Sequence, residues 1–257
     1  MLGFVNNFLA KRGAQSEYHE MLTKFLSDGN LDEGEKRKLE ELAQKHGLSK
    51  SDVQYAHKQT TSVFFKNISS DERISEDEKK GLEALMSYFD LKQTDFDFNQ
   101  GAFNKYYSLA LIDKGVLPTP QHEGLNVILK DGEVLHWLCS ATLKKRKTVT
   151  TGANFHGLTG SFKLMKGVRY RIGALQFAPD TSEVMVDEDT GTFWLTNQRI
   201  GFLGHKKNFT LPYGKVLSYE LYKDGISIVK EGKENPHIVG MKDVELPAAV
   251  LSTLVNR

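Results

Sequence analysis

The chain has 257 residues and a formal net charge of +1, with 26% charged and 39% hydrophobic residues. That is enough apolar material for a packed core, so global disorder is excluded, and the length suits one or two domains. A total charge this close to neutral points to no polyanionic partner. The single cysteine, Cys139, excludes an internal disulfide framework and a thiolate zinc site, and it reads as a small buried apolar residue.

The first residues, "MLGFVNNFLAKRG", place Leu2, Phe4, Val5, Phe8 and Leu9 on one helix face, followed by Lys11 and Arg12. The apolar part is too short for a secretory signal, and no apolar run reaches the roughly 18 residues of a spanning helix. The expectation is a soluble, cytoplasmic chain. Residues 1–12 then pack on their own bundle or on a sister chain, making a homo-oligomer contact; the alternative is an amphipathic helix lying on a membrane.

Next comes a duplication. "SDGNLDEGEKRKLEELAQKHGLSKSD" from Ser27 falls on "SDERISEDEKKGLEALMSYFDLKQTD" from Ser70 when shifted by 43 positions, within the stretch that opens at Ser69. Leu22 then meets Phe65, Leu31 meets Ile74, Glu35 meets Glu78, and Leu39, Leu42 and Leu48 meet Leu82, Leu85 and Leu91. Apolar residues at three- and four-residue steps predict buried helix faces. Asp32 with Glu35, and Ser75 with Glu78, have capping-box spacing. Each unit therefore reads as helix, short turn, helix.

"DGNLDEGE" also invites comparison with a calcium loop. With Glu35 at position twelve, Asp28 takes position five and Gly29 position six, but Lys24 and Leu26 fall where hard oxygen ligands are required. A turn and a helix cap are expected, with Asp28, Asp32 and Glu35 as the weak candidates for a divalent ion. The stretch from the aspartate-glycine turn to "LEELAQKHGLS" resembles the tellurite-resistance B (TerB-like) helical family over about residues 15 to 98. That resemblance implies a helical bundle associated with stress response and phage defence, with a metal-associated acidic pattern that is only partly matched.

Tyr106 to Ile112 reads as a last helix ended by Gly115, and Pro118 and Pro120 stop helix. The expected domains are 1–117, a linker at 118–124, and 125–257. Residues 1–100 carry 14 basic and 18 acidic side chains, so the positive charge lies in the remainder.

From Gly124 onward, short runs of β-forming residues alternate with turn signals. "NVILKDGEVLHWLCSATL" reads as a strand, an Asp131-Gly132 turn and a strand. "SEVMVDEDTGTFWLTNQRIGFLG" reads as two strands around Asp189-Thr190-Gly191, with a turn at Thr196-Asn197. Asp224-Gly225 signals a hairpin. "DVELPAAVLSTLVNR" reads as a helix with Pro247 in its first turn. The fold class is thus α+β, a helical bundle followed by a β-barrel or sandwich capped by a helix. "GTFWLTNQRIGFLG", with "LKDGEVLHW" and "YKDGISIV", resembles bacterial pleckstrin-homology-like (PH-like) and GRAM-like domains over roughly residues 123 to 257. The resemblance implies a seven-stranded PH-like fold and no catalysis. Thr196 is expected to close a turn and Arg199 to hold loop carbonyls.

Between Lys144 and Arg171 stand eight basic residues and no acidic one: Lys144, Lys145, Arg146, Lys147, Lys163, Lys166, Arg169 and Arg171. They are the candidates for a protein partner or an anionic lipid surface; a solvated edge strand is the plainer reading. Phe155, Phe162 and Tyr170 lie nearby without an RNA-stacking pattern, so no nucleic-acid partner is expected. No nucleophile elbow, P-loop, dinucleotide fingerprint or zinc-helix spacing occurs among the eight histidines. The expectation is a non-enzymatic interaction or scaffold protein without a cofactor; a peripheral membrane module at the inner face is the alternative.

Overall fold

The computed structural model describes residues 2–26, 31–121, 127–149, 163–165, 168–169, 182–232 and 235–256, with the backbone alone at 2–11, 148–149, 163–165, 168–169 and 182–183. The protein is α+β: helices fill the N-terminal half, and a seven-stranded antiparallel sheet with a closing helix fills the C-terminal half. It divides into two compact units, residues 1–110 and 111–257.

The helices are α1 (Leu2–Phe25), α2 (Glu33–Lys45), α3 (Lys50–Ile68), α4 (Glu76–Tyr88) and α5 (Gln100–Asp113). The 43-residue offset persists in the backbone. α1 and α3 end at Phe25 and Ile68, and α2 and α4 begin after Asp32 and Ser75. Each of those two caps is a complete capping box. The turns that follow are equivalent too: His46 N donates to Leu42 O as Phe89 N does to Leu85 O, and Leu48 N donates to Ala43 O as Leu91 N does to Met86 O. Gly47 and Asp90 both take positive φ there, 62° and 51°.

The copies then diverge. Ser49 and Asp52 open the long α3, while the matching Lys92 and Asp95 open only a 3-10 turn at 93–95. Phe96 and Phe98 leave that turn to pack with Phe65 and Phe103, which places the chain off the helical path. Two apolar clusters result. Leu22, Leu31 and Leu39 lie in one and their repeat partners Phe65, Ile74 and Leu82 in the other, while Leu42 and its partner Leu85 both lie in the first.

In the second unit the strands are β1 (Leu135–Val149), β2 (Lys163–Met165), β3 (Val168–Arg169), β4 (Ser182–Thr196), β5 (Arg199–Gly204), β6 (Asn208–Pro212), β7 (Val216–Tyr222), β8 (Gly225–Lys230) and β9 (His237–Val239), followed by α6 (Glu245–Val255). β2 and β3 form a separate hairpin. The large sheet runs β6-β5-β4-β1-β9-β8-β7. Two meanders therefore meet through β1 and β9, and β6 and β7 are the edges.

Two expected features differ from the structure. No turn interrupts β4 at Asp189-Thr190-Gly191: Thr190 and Gly191 pair with Thr142 and Ala141, and Gly191 also faces Gly204 of β5. A Cβ at Gly191 would sit 2.1 Å from Leu203 O, so glycine serves close strand approach here. Residues 127–134 form no strand either. Their turn, with Gly132 at φ 68°, docks on the 196–199 loop instead. The Asp224-Gly225 hairpin exists, with Lys223 and Asp224 as its turn and Gly225 opening β8. α6 is buried more widely than a single stripe: Pro247 to Ser252 and Leu254 are all inside, as expected of a helix apolar on nearly every side.

Candidate functional site: a lysine-lined groove at the sheet edge

The 196–199 loop is fixed by a buried ion pair. Arg199 Nε and Nη2 donate to the two carboxylate oxygens of Glu133 at 2.8 and 3.0 Å, and Nη2 also donates to Ile128 O at 2.9 Å. Glu133 has no side-chain exposure. Burial pushes its carboxyl up, but Arg199, Lys130 N–H and the Thr196 hydroxyl outweigh that and hold it below the usual carboxylate range. Thr196 closes the turn by accepting from Gln198 N and Arg199 N. Bidentate geometry and full satisfaction are what keep such a pair tolerable inside a protein. The roles expected for Thr196 and Arg199 are seen; Glu133, the counter-charge, was not expected. Its only signal was an acidic residue just after a turn. Both Glu133 carboxylate oxygens are held within the cluster, by Arg199, Thr196 and Lys130 N–H.

A second carboxylate shapes the neighbouring loop. Asp189 Oδ2 accepts from Lys206 N at 2.5 Å and Lys207 N at 2.7 Å, and Oδ1 from Thr190 N at 2.9 Å. Those backbone N–H groups, Lys206 first, hold the carboxyl below its ordinary range. The β5–β6 turn is thereby pinned to β4, and Lys207 is set at the head of β6.

Beside that turn lies a groove of about 430 Å³. Five lysines line it: Lys144 and Lys145 from β1, Lys207 before β6, Lys215 before β7 and Lys230 at the end of β8. Glu188 and Glu231 are the acidic members, and Leu143, Phe209 and Leu211 give it an apolar floor. For β1, β6 and β8 to share one groove, the sheet must curl so that its edge β6 comes round towards β8. A register shift after Leu143 puts Asp189 opposite Leu143 but Asp187 opposite Lys144, leaving Glu188 as the extra residue of a β-bulge. Lys144 then pairs with Asp187 at 3.1 Å and Lys207 with Glu188 at 3.5 Å. Among the described residues Lys215 and Lys230 have no carboxylate partner. Next to the groove, burial and then the Arg146 cation hold His237 below the usual imidazole range.

The sequence-derived basic set divides here. Lys144 and Lys145 enter the groove; Arg146 and Lys147 lie exposed further along β1. Lys163 and Arg169 face each other in register on β2 and β3, their side chains lying outside the described residues. Lys166 and Arg171 lie wholly outside them. Sequence reasoning missed Lys207, Lys215 and Lys230, which stand alone in "GHKKN", "YGKV" and "IVKEG" and become neighbours only through topology. Their shared signal is position, since each sits at a strand end.

Of the metal candidates, Asp28 lies outside the described residues. Asp32 Oδ1 accepts from Glu35 N at 2.7 Å, and Glu35 Oε2 from Asp32 N at 3.1 Å, so both carboxylates serve the helix start. Among the described residues no three His, Cys, Asp or Glu side chains gather as a metal site, and no helix is long and apolar enough to cross a membrane. Cys139 is half-buried, and burial raises its thiol above the ordinary range. A comparison of the chain with family models and with curated proteins returns no match.

Proposed function

We propose that this protein is a non-enzymatic interaction protein whose C-terminal, PH-like domain binds an acidic segment of a protein partner. The observation that carries this is the convergence of five lysines from four separate strands or strand ends on one groove with an apolar floor. Seven antiparallel strands with a closing C-terminal helix are what the PH-like resemblance implies, and they support that reading of the domain. The doubled capping boxes and equivalent turns likewise support a TerB-like N-terminal domain, and with it a setting in bacterial stress response or phage defence. A second reading, an anionic membrane surface, is favoured by Arg146 and Lys147, which extend the basic surface beyond the groove and stand exposed to a flat partner.

The test is fluorescence anisotropy with a labelled glutamate-rich peptide, beside co-sedimentation with phosphatidylserine vesicles, each at about 50 and about 500 mM salt, where screening lengths differ severalfold. Peptide binding that weakens with salt is expected. Vesicle binding without peptide binding transfers the function to the membrane reading. Absence of both at low salt overturns the proposal.

A further inference from the structure

We propose that the partner binds as an added β-strand: an extended acidic segment pairs with the free edge of β6 and lies along the lysine groove. This rests on the acidic-partner reading above and adds the mode of recognition. β6 is the last strand of the sheet and, among the described residues, is paired only with β5. Gly204 N donates to Lys207 O at 3.1 Å, which fixes the hydrogen-bonding phase of that pair. By antiparallel alternation, Phe209 and Leu211 turn their backbone groups to β5, while Asn208, Thr210 and Pro212 turn theirs outward. Pro212 thus occupies an outward position, where its missing N–H costs no ladder bond. Among the described residues, Asn208 N–H and Thr210 N–H have no backbone partner.

Natural proteins usually blunt such an edge. Here the whole strand, Asn208 to Pro212, lines the groove instead of facing open solvent. A strand laid there gains backbone bonds from Asn208 and Thr210. Its alternate side chains reach the apolar floor at Phe209 and Leu211, and its carboxylates meet Lys207, Lys215 and Lys230. The charge selects an acidic strand, and an aspartate- or glutamate-bearing extended segment satisfies both the edge and the lysines.

The probe is a labelled peptide of about ten residues alternating Glu and Val, long enough to span β6. Its counterpart carries N-methyl groups on every second amide, in both registers, keeping charge and side chains but removing ladder donors. Wild-type protein should bind the parent peptide and lose at least about tenfold in affinity for one N-methylated register. Thr210→Pro, which removes an outward N–H, should lose binding to a similar degree. Circular dichroism checks that Thr210→Pro is folded, and the N-methylated peptides test the same point without any variant. If both N-methylated registers and Thr210→Pro bind like the parent, strand addition is wrong, although the acidic-partner reading stands. If wild type ignores the parent peptide yet binds the glutamate-rich chain, strand addition alone again fails. If it binds neither, both fail.

Discussion

The two halves of the molecule are built from different kinds of information. In the helical unit, the helix starts are decided within a few residues: Asp32 with Glu35, Ser49 with Asp52 and Ser75 with Glu78 close three capping boxes over three-residue spans. In the β unit, the decisive contacts join distant residues. Arg199 meets Glu133 across 66 positions, Asp189 holds Lys206 and Lys207 across 17 and 18, and Lys144 shares a groove with Lys230. A chain can therefore duplicate a helical unit and keep its geometry, whereas the groove exists only when the whole sheet has closed.

The comparison breaks most visibly at Arg199. Replacement by Met leaves Glu133 buried without its counter-charge, and we expect a loss of about 3–5 kcal/mol confined to the C-terminal unit, read by denaturant unfolding. The groove, monitored by peptide binding, should weaken together with that unit. Equal destabilisation of the helical unit would show that the halves do not separate in this way.

The next effect lies in the helical unit and depends on pH. His57 stacks on Phe89 at 3.9 Å and shares a hydrogen bond with Tyr18 at 2.9 Å, and burial holds its imidazole down at about 4. The unfolded chain binds the proton near 6.5, so protonation favours unfolding. Stability of the helical unit should fall as pH drops from about 6.5 to about 4 and then lose no more through this group, a total of up to about 3 kcal/mol. His57→Gln should flatten that part of the pH profile; an unchanged slope would assign it to other groups.

The smallest effect tests the duplication itself. Glu72, the repeat counterpart of Gly29, has φ 60°, a conformation that costs a side-chain-bearing residue about 1 kcal/mol. Glu72→Gly should raise stability by about 0.5 kcal/mol or leave it level, since glycine also loosens the unfolded chain. A clear loss would mean the Glu72 side chain has a role that the repeat does not predict.

These contrasts also explain what was legible in the sequence. Helix starts at Asp32 and Ser75, the stop at Gly115, the Thr196 turn and α6 could all be read because their determinants are adjacent along the chain. The turn expected at Asp189-Gly191 could not: its glycine answers to Leu203 across the sheet, and its aspartate to the backbone of a later loop. For the same reason the basic run at 144–147 was visible while Lys207, Lys215 and Lys230 were not. Clustering in sequence is one way to make a basic surface, and clustering through strand ends is another that no local window reveals.

That second way is the central claim, and a titration with lysine charges removed tests it directly. The labelled glutamate-rich peptide is titrated into wild type, into Lys215→Ser/Lys230→Ser, and into a control with Lys38→Ser and Lys66→Ser in the helical unit. With each lysine worth on the order of 1 kcal/mol towards an anionic partner, the groove variant should bind at least about tenfold more weakly and the control like wild type. Equal affinity of the groove variant and wild type would contradict the claim that lysines brought together by topology form the binding site.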